Sequence, residues 1–196
     1  LQMNSLIEIS QVVFDVSLYA SPRSLVKTLR PFLLSRISVL RLACLRAIKG
    51  FMKVREVAVQ LKQTDTHFFI ARELFRDKTG KYDTEERDEA LVIVRLSVPL
   101  LLAETPKSYI QALCSIISTA VPKDADPFIF NTLETLCEMS ILATKPTSEC
   151  NGFRALVKAA INPTFRNYAV NIANVLLTIY TSKPSRNMLF DGELLR

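Results

Sequence analysis

Residues 54–103 read VREVAVQLKQTDTHFFIARELFRDKTGKYDTEERDEALVIVRLSVPLLLA. Apolar residues recur here at the i, i+3, i+4, i+7 spacing of an amphipathic helix, without the sustained apolar-polar alternation of a strand. The spacing predicts a short helix over Val54 to Lys62, a second over Asp65 to Asp77 and a long third over Glu85 to Ala103. Asp83 and Glu86 have the spacing of a capping box and are expected to start the third helix, which runs on through Ala90 and Val94. Such a unit cannot bury its apolar face alone, so it calls for neighbours of the same kind.

The same period extends outward in both directions. Upstream it predicts helices over Asn4 to Tyr19, Arg23 to Leu34 and Ile37 to Met52; downstream, over Lys107 to Ala120, Pro127 to Leu142, Phe153 to Ile161 and Phe165 to Tyr180. Ser21-Pro22, Thr105-Pro106, Ala125-Asp126-Pro127 and Asn162-Pro163 pair a capping or pre-proline residue with a proline suited to a first helical turn. Gly50 is expected to mark a distortion in the last turn before Val54. A loose phrase of one small and two apolar residues recurs around Leu45, Leu91, Leu133 and Val170, at spacings of 46, 42 and 37 residues. Periods of ~40 to 47 residues belong to armadillo and HEAT repeats, and the short, second and long third helices come in the armadillo order. The expected fold is therefore all-α: one domain over 1–196, an armadillo/HEAT-type right-handed superhelical solenoid of about four repeats.

Terminal repeats carry a polar outer face, yet Leu6, Ile7, Val12, Val13 and Phe14 at one end and Met188, Leu189, Phe190, Leu194 and Leu195 at the other are apolar. This predicts a fragment of a longer array with further repeats after Arg196. The alternative is that the ends fold back on the domain.

Composition narrows the function. The chain has 196 residues, 49% of them apolar, four glycines, no tryptophan and one histidine, His67. That inventory is poor in Gly-rich phosphate loops, histidine metal sets and histidine acid-base chemistry, and it argues against an enzyme and against a bound cofactor. Cys44, Cys114, Cys137 and Cys150 stand far apart with no C-x-x-C pair, which points to reduced thiols inside the cell rather than zinc or disulfides. His67, beside Phe68 and Phe69, reads as a helix-start surface or packing residue. Asp77-Lys78-Thr79-Gly80 spells the start of a phosphorylated-aspartate motif, but a helix rather than a strand precedes it, and it reads as a charged loop. The longest apolar stretch, Leu91 to Ala103, contains Arg95 and Pro99 and is shorter than the ~20 residues of a membrane span.

Charge is segregated. Between Ala20 and Arg55 stand nine basic residues and no acidic one, enough to account for the net charge of +6. On a helical projection Arg46, Lys49 and Lys53 fall within about 60° of each other, opposite Cys44, Ala47, Ile48 and Phe51. With Arg95 they form a candidate partner-binding basic groove, suited to an acidic segment, a phosphorylated loop or an anionic membrane surface; the alternative is a solvated face. Arg41 lies nearer the apolar arc and is expected to pair with a carboxylate or carbonyl between repeats. Nothing interleaves aromatic with basic residues as base stacking requires, so nucleic acid is not the favoured partner.

Longer phrases carry a resemblance. Phe69-Ile70-Ala71-Arg72, then Glu86-Arg87-Asp88-Glu89-Ala90-Leu91-Val92-Ile93-Val94-Arg95, and upstream Arg41-Leu42-Ala43-Cys44-Leu45-Arg46-Ala47-Ile48, resemble the N-terminal armadillo region of the Rictor/Pianissimo family. Cys137-Glu138-Met139, Gly152-Phe153 and the tail from Arg186 to Leu195 fall at similar places, so the likeness runs over most of the chain in one order. The resemblance implies a non-catalytic scaffold or regulatory subunit of target-of-rapamycin complex two. Its implied partners are the TOR kinase, a Sin-type subunit and a WD-repeat subunit. It implies a cytoplasmic location, peripheral at the plasma membrane as part of that complex. The reading from another class is a general armadillo adaptor that takes acidic peptides or nucleic acid through the basic groove.

Overall fold

The computed structural model describes residues 21–76, 80, 82–121 and 126–190, and every regular element among them is helical. The expected helix over Asn4 to Tyr19 lies outside the described residues. The chain divides into two compact units at Leu101/Leu102.

The first unit holds α1 (Pro22–Leu33), α2 (Ser38–Phe51), α3 (Arg55–Gln63), α4 (Thr66–Glu73) and α5 (Asp83–Leu101). Ser21 caps α1 by accepting the Ser24 N–H at 3.2 Å, and Pro22 occupies its first turn, where no backbone donor is needed. Leu25, Val26, Leu29 and Leu33 make one buried stripe along α1. α5 is the centre of the unit: α2, α3 and α4 all pack on it, around Ala90, Leu91, Ile93, Val94 and Val98. Each fully buried Leu or Ile in such a layer contributes about 1.5–3 kcal/mol over leaving it in water.

Two sequence expectations change here. The helix expected over Asp65 to Asp77 is shorter, closing at Glu73, where the Leu74 N–H turns back to the Arg72 carbonyl. The Asp83/Glu86 capping box does not form. Asp83 Oδ2 accepts from the Gly80 N–H at 2.6 Å, and the Glu86 side chain is drawn inward by Arg41, whose guanidinium outcompetes a backbone N–H as partner for a buried carboxylate.

The second unit holds a 3₁₀ turn (Leu102–Glu104), α6 (Lys107–Thr119), α7 (Pro127–Leu142), α8 (Thr144–Glu149), α9 (Gly152–Ile161), a 3₁₀ segment (Pro163–Tyr168), α10 (Ala169–Thr181) and α11 (Lys183–Phe190). Asp126 Oδ1 caps α7 by accepting the Ile129 N–H at 2.9 Å. Asn162 likewise accepts from Thr164, but the helix expected from Phe165 begins only at Ala169, because Phe165 leaves helical geometry at φ −108°. α9 packs on α6, α7, α8 and α10, with Phe153 and Leu156 buried on its inner face. Met188 and Leu189, read from sequence as an outer apolar face, fold back: Leu189 joins a buried cluster with Phe153 and Ile179, Met188 packs against it, and the Ser148 hydroxyl donates to the Met188 carbonyl at 2.9 Å.

Within each unit the helices pack on others close to them in the chain, as in an α-solenoid. Among the described residues no helix is long and apolar enough to cross a membrane.

Candidate partner-binding surfaces

The basic residues of α2 meet the acidic start of α5. Arg46 Nη2 pairs with Glu85 Oε2 at 2.5 Å and its Nε lies 3.4 Å from Glu89 Oε1, while Lys49 Nζ lies 2.6 Å from Glu89 Oε2. Lys53 is exposed and pairs with no carboxylate among the described residues; Arg95 is exposed further along α5. Arg46 and Lys49 therefore sit together on one face, with much of their charge already compensated inside the unit. Such exposed pairs contribute little stability, about 0–1 kcal/mol each.

Arg41 is turned inward, as its place near the apolar arc suggests, and finds both kinds of partner. Its Nε and Nη2 donate to Glu86 Oε2 and Oε1 at 2.9 and 3.0 Å, and its Nη1 donates to the Ser35 carbonyl at 2.8 Å. Glu73, fully buried at the end of α4, lies 3.8 Å from Arg41 Nε. Glu73 is held mainly by its own neighbours: Arg72 donates to Oε1 through Nε and Nη2 at 3.1 and 2.7 Å, and Arg76 Nε donates to Oε2 at 2.5 Å. Burial pushes the Glu86 carboxyl above its ordinary range, against the opposing pull of the Arg41 hydrogen bonds, while the bond to Glu73 raises the Arg76 guanidinium.

Above this network opens a cleft of about 580 Å³, lined by Leu34, Ser35, Arg36, Arg41, Arg72, Phe75 and Arg76. Sequence reading missed Arg72 and Arg76 as a surface, although the pattern Arg-Glu-x-x-Arg over 72–76 puts two guanidiniums one helical turn apart around a carboxylate.

The cysteines are all free. Burial raises the Cys44 thiol to about 12, the Cys114 thiol to about 12 and the Cys137 thiol to about 11. Cys114 and Cys150, 36 residues apart in sequence, line one shallow cleft of about 350 Å³ with Arg154 and Lys158, a juxtaposition their spacing could not reveal. His67 is buried and its ring lies 4.1 Å from that of Phe68, which is the packing role; burial lowers its pKa. The Asp77-Lys78-Thr79 part of the charged loop lies outside the described residues. Among the described residues no group of three His, Cys, Asp or Glu side chains stands where it could hold a metal ion.

The family described as "Rapamycin-insensitive companion of mTOR, N-term" matches residues 1–195. Protein pianissimo A of Dictyostelium discoideum is 28% identical over 185 residues, which is 94% of this chain and 16% of that protein. The chain thus spans under a fifth of the length of this curated relative. No solved structure matches it.

Proposed function

The chain belongs to the Rictor N-terminal family, and from that premise we propose that it is a non-catalytic scaffold segment that helps to organise target-of-rapamycin complex two. The observation that carries this reading is the family match along residues 1–195. The polar chemistry agrees with it. The most elaborate constellation, Arg41 with Glu86, Glu73, Arg72 and Arg76, ties helices to one another, and the thiols with the largest shifts are pushed away from the thiolate form that a nucleophile needs.

In this reading the helices are armadillo/HEAT-type repeats of a right-handed superhelix of about four units, part of a longer array. The partners are the TOR kinase, a Sin-type subunit and a WD-repeat subunit, at a cytoplasmic location peripheral to the plasma membrane. The face of α2 and α5 with Arg46, Lys49, Lys53 and Arg95 is one contact surface. Since Glu85 and Glu89 offset Arg46 and Lys49, its attraction for an acidic partner rests more on Lys53 and on geometry than on net charge. α10 supplies a second surface: Val170, Leu177 and Tyr180 are exposed along one side of it, where a further helix of a solenoid would pack.

The test is affinity purification of the full-length protein from lysate at ~150 mM salt, where exposed charges are screened beyond about 8 Å. Beside it runs a variant with Arg46, Lys49, Lys53 and Arg95 each changed to Glu. Recovery of the TOR kinase and the Sin-type subunit with the parent, lost in the variant, is the expected result. A parent that recovers neither subunit overturns the scaffold reading, and a variant that recovers both removes only the basic face from it.

A further inference from the structure

Four arginines line the cleft at the end of α1 and α4, and the fold does not use them equally. Arg41 is fully committed: its three nitrogens donate to Glu86 and to the Ser35 carbonyl, and it is only 5% exposed. Arg72 is held by Glu73 and by the Leu33 carbonyl at 3.0 Å, and its guanidinium lies 5.8 Å from the centre of the Phe69 ring; Arg76 is held by Glu73. Both are partly exposed, and neither uses its Nη1 in a hydrogen bond among the described residues. Arg36 is exposed and pairs with nothing among the described residues. Four guanidiniums against the two carboxylates Glu73 and Glu86 leave two positive charges in excess at one recess. Asp83, whose field Arg76 feels, is turned to the Gly80 N–H and does not line the cleft.

A doubly charged anion with several acceptor oxygens matches that excess, and planar guanidiniums suit its oxygens better than they suit water. The buried carboxylates hold Arg72 and Arg76 in place beforehand, so a ligand orders only Arg36. Leu34 and Phe75, 52% and 51% exposed, line the same recess and offer apolar surface to residues flanking such a group. That combination fits a chain with side chains on either side of its charge better than a bare ion. It also fits better than a headgroup on a flat bilayer, which would have to enter a recess.

We infer that this cleft binds a phosphorylated serine or threonine in an extended segment of a partner protein, with Arg36, Arg72 and Arg76 on the phosphoryl oxygens and Leu34 and Phe75 against the flanking residues. The site is separate from the α2/α5 basic face and makes the segment responsive to the phosphorylation state of its partner.

The experiment is fluorescence anisotropy of the 196-residue chain with a dye-labelled peptide pool carrying a central phosphoserine and degenerate flanks, beside the same pool with serine. The phosphorylated pool is expected to bind at least about tenfold more tightly, and Arg36→Ala to weaken it about tenfold, the loss of one charge-assisted contact. Because Arg36 joins no ion pair among the described residues, the melting temperature of the variant should equal that of the parent. Equal binding of the two pools overturns the inference, as does undiminished binding by Arg36→Ala. Arg36-dependent capture of phosphatidylserine vesicles without any preference between the pools overturns it in favour of a membrane. Displacement by inorganic phosphate of a phosphopeptide bound no better than phosphate itself overturns the peptide component. The assay needs no TOR kinase, so its failure leaves the scaffold reading untouched.

Discussion

Arg41 of α2 and Glu86 of α5, 45 residues apart in the chain, meet as a bidentate fork, Nε to Oε2 at 2.9 Å and Nη2 to Oε1 at 3.0 Å, with both side chains buried. The fork is the buried member of a set of ion pairs between these two packed helices, the pairs of Arg46 and Lys49 with Glu85 and Glu89 lying nearer the surface, and it helps to fix their register. Desolvating both charges costs several kcal/mol, which the pairing must offset, so the fork adds specificity more surely than net stability. Beneath the cleft Glu86 is held by Arg41, and Glu73 by Arg72 and Arg76, so that the cationic rim above is built on a fixed base.

Removing one partner is therefore expected to cost more than removing both. Arg41→Met should destabilise the chain by about 3–5 kcal/mol, because Glu86 stays buried without its main partner. Arg41→Met with Glu86→Leu should recover about 1–3 kcal/mol of that loss as coupling between the sites. Urea unfolding midpoints at neutral pH measure both. Additive single effects would show that the fork does not couple the helices.

Acid should act through two groups of opposite sign. His67 has a native pKa below its ordinary 6.5, mainly through burial. Its contribution is complete above 6.5 and is lost as pH falls from there to the lowered native value, where the unfolded chain takes a proton that the native state refuses. Glu86 has a native pKa above its ordinary 4.5, again mainly through burial, so it takes up its proton in the native state first and favours folding as pH falls through that window. His67→Gln should flatten the loss of stability just below pH 6.5, and Glu86→Gln should steepen the fall at lower pH. Thermal melts of parent and variants across this range give the slopes. Identical slopes for the parent and His67→Gln would exclude His67 as the first group.

The two helical glycines should respond in opposite directions to alanine. Gly50 lies inside α2, and a methyl group there meets nothing within 4 Å. Gly50→Ala should stabilise by about 0.5–1 kcal/mol through the lost freedom of the unfolded chain. Gly152 opens α9 after Asn151, whose φ is 58°, and a methyl group there overlaps Thr147 Cγ2 and stands 3.0 Å from the Thr147 carbonyl oxygen. Gly152→Ala should destabilise by about 1–3 kcal/mol. A matched pair of thermal melts decides both, and a stabilising Gly152→Ala would mean that α8 yields easily.

Legibility in the sequence followed the range of the interaction. α7 runs over Pro127–Leu142 as expected, since Asp126-Pro127 is a local signal and the cap is made by the same aspartate. α8 was not foreseen, because Thr144-Lys145-Pro146-Thr147-Ser148-Glu149 has no apolar period to read; it is helical because Pro146 and Thr147 are buried against neighbouring helices. The inward turn of Arg41 was visible in its place on the helical wheel, but its partner was not. Glu86 carries a strong local capping pattern, and only tertiary packing decides that the carboxylate goes to a guanidinium 45 residues away. The cleft arginines were hidden for the same reason: Arg36 and Arg76 become neighbours only when α1 and α4 pack together.

Thiol chemistry should be graded. The Cys44 thiol is buried, donates to the Leu29 carbonyl at 3.2 Å and is raised to about 12. Cys114 and Cys137 are raised to about 12 and about 11, while burial raises the partly exposed Cys150 without taking it to such values. Iodoacetamide at pH 7.5 is therefore expected to label Cys150 first and Cys44 only on unfolding, with rates read by peptide mass spectrometry. Prompt labelling of Cys44 in the folded chain would contradict the packing of α2 on α1.

The outward side of α10 offers a test of whether more of the protein covers it. Val170 is 70% exposed, Leu177 58% and Tyr180 45%, all on one side of the helix, while Ile172 and Ile179 are buried on the other. Since Val170 and Leu177 are largely exposed within the second unit, Val170→Asp with Leu177→Asp should change the stability of the 196-residue chain by no more than about 0.5 kcal/mol per site. In the full-length protein the same face, if packed against a further helix, gains about 1.5–3 kcal/mol for each buried side chain, and the double variant should lose that amount. Limited proteolysis in both contexts reads the difference as cleavage rates near α10. A double variant cleaved faster only in the full-length protein places this face inside a longer array, whereas equal sensitivity in both contexts leaves it as open surface.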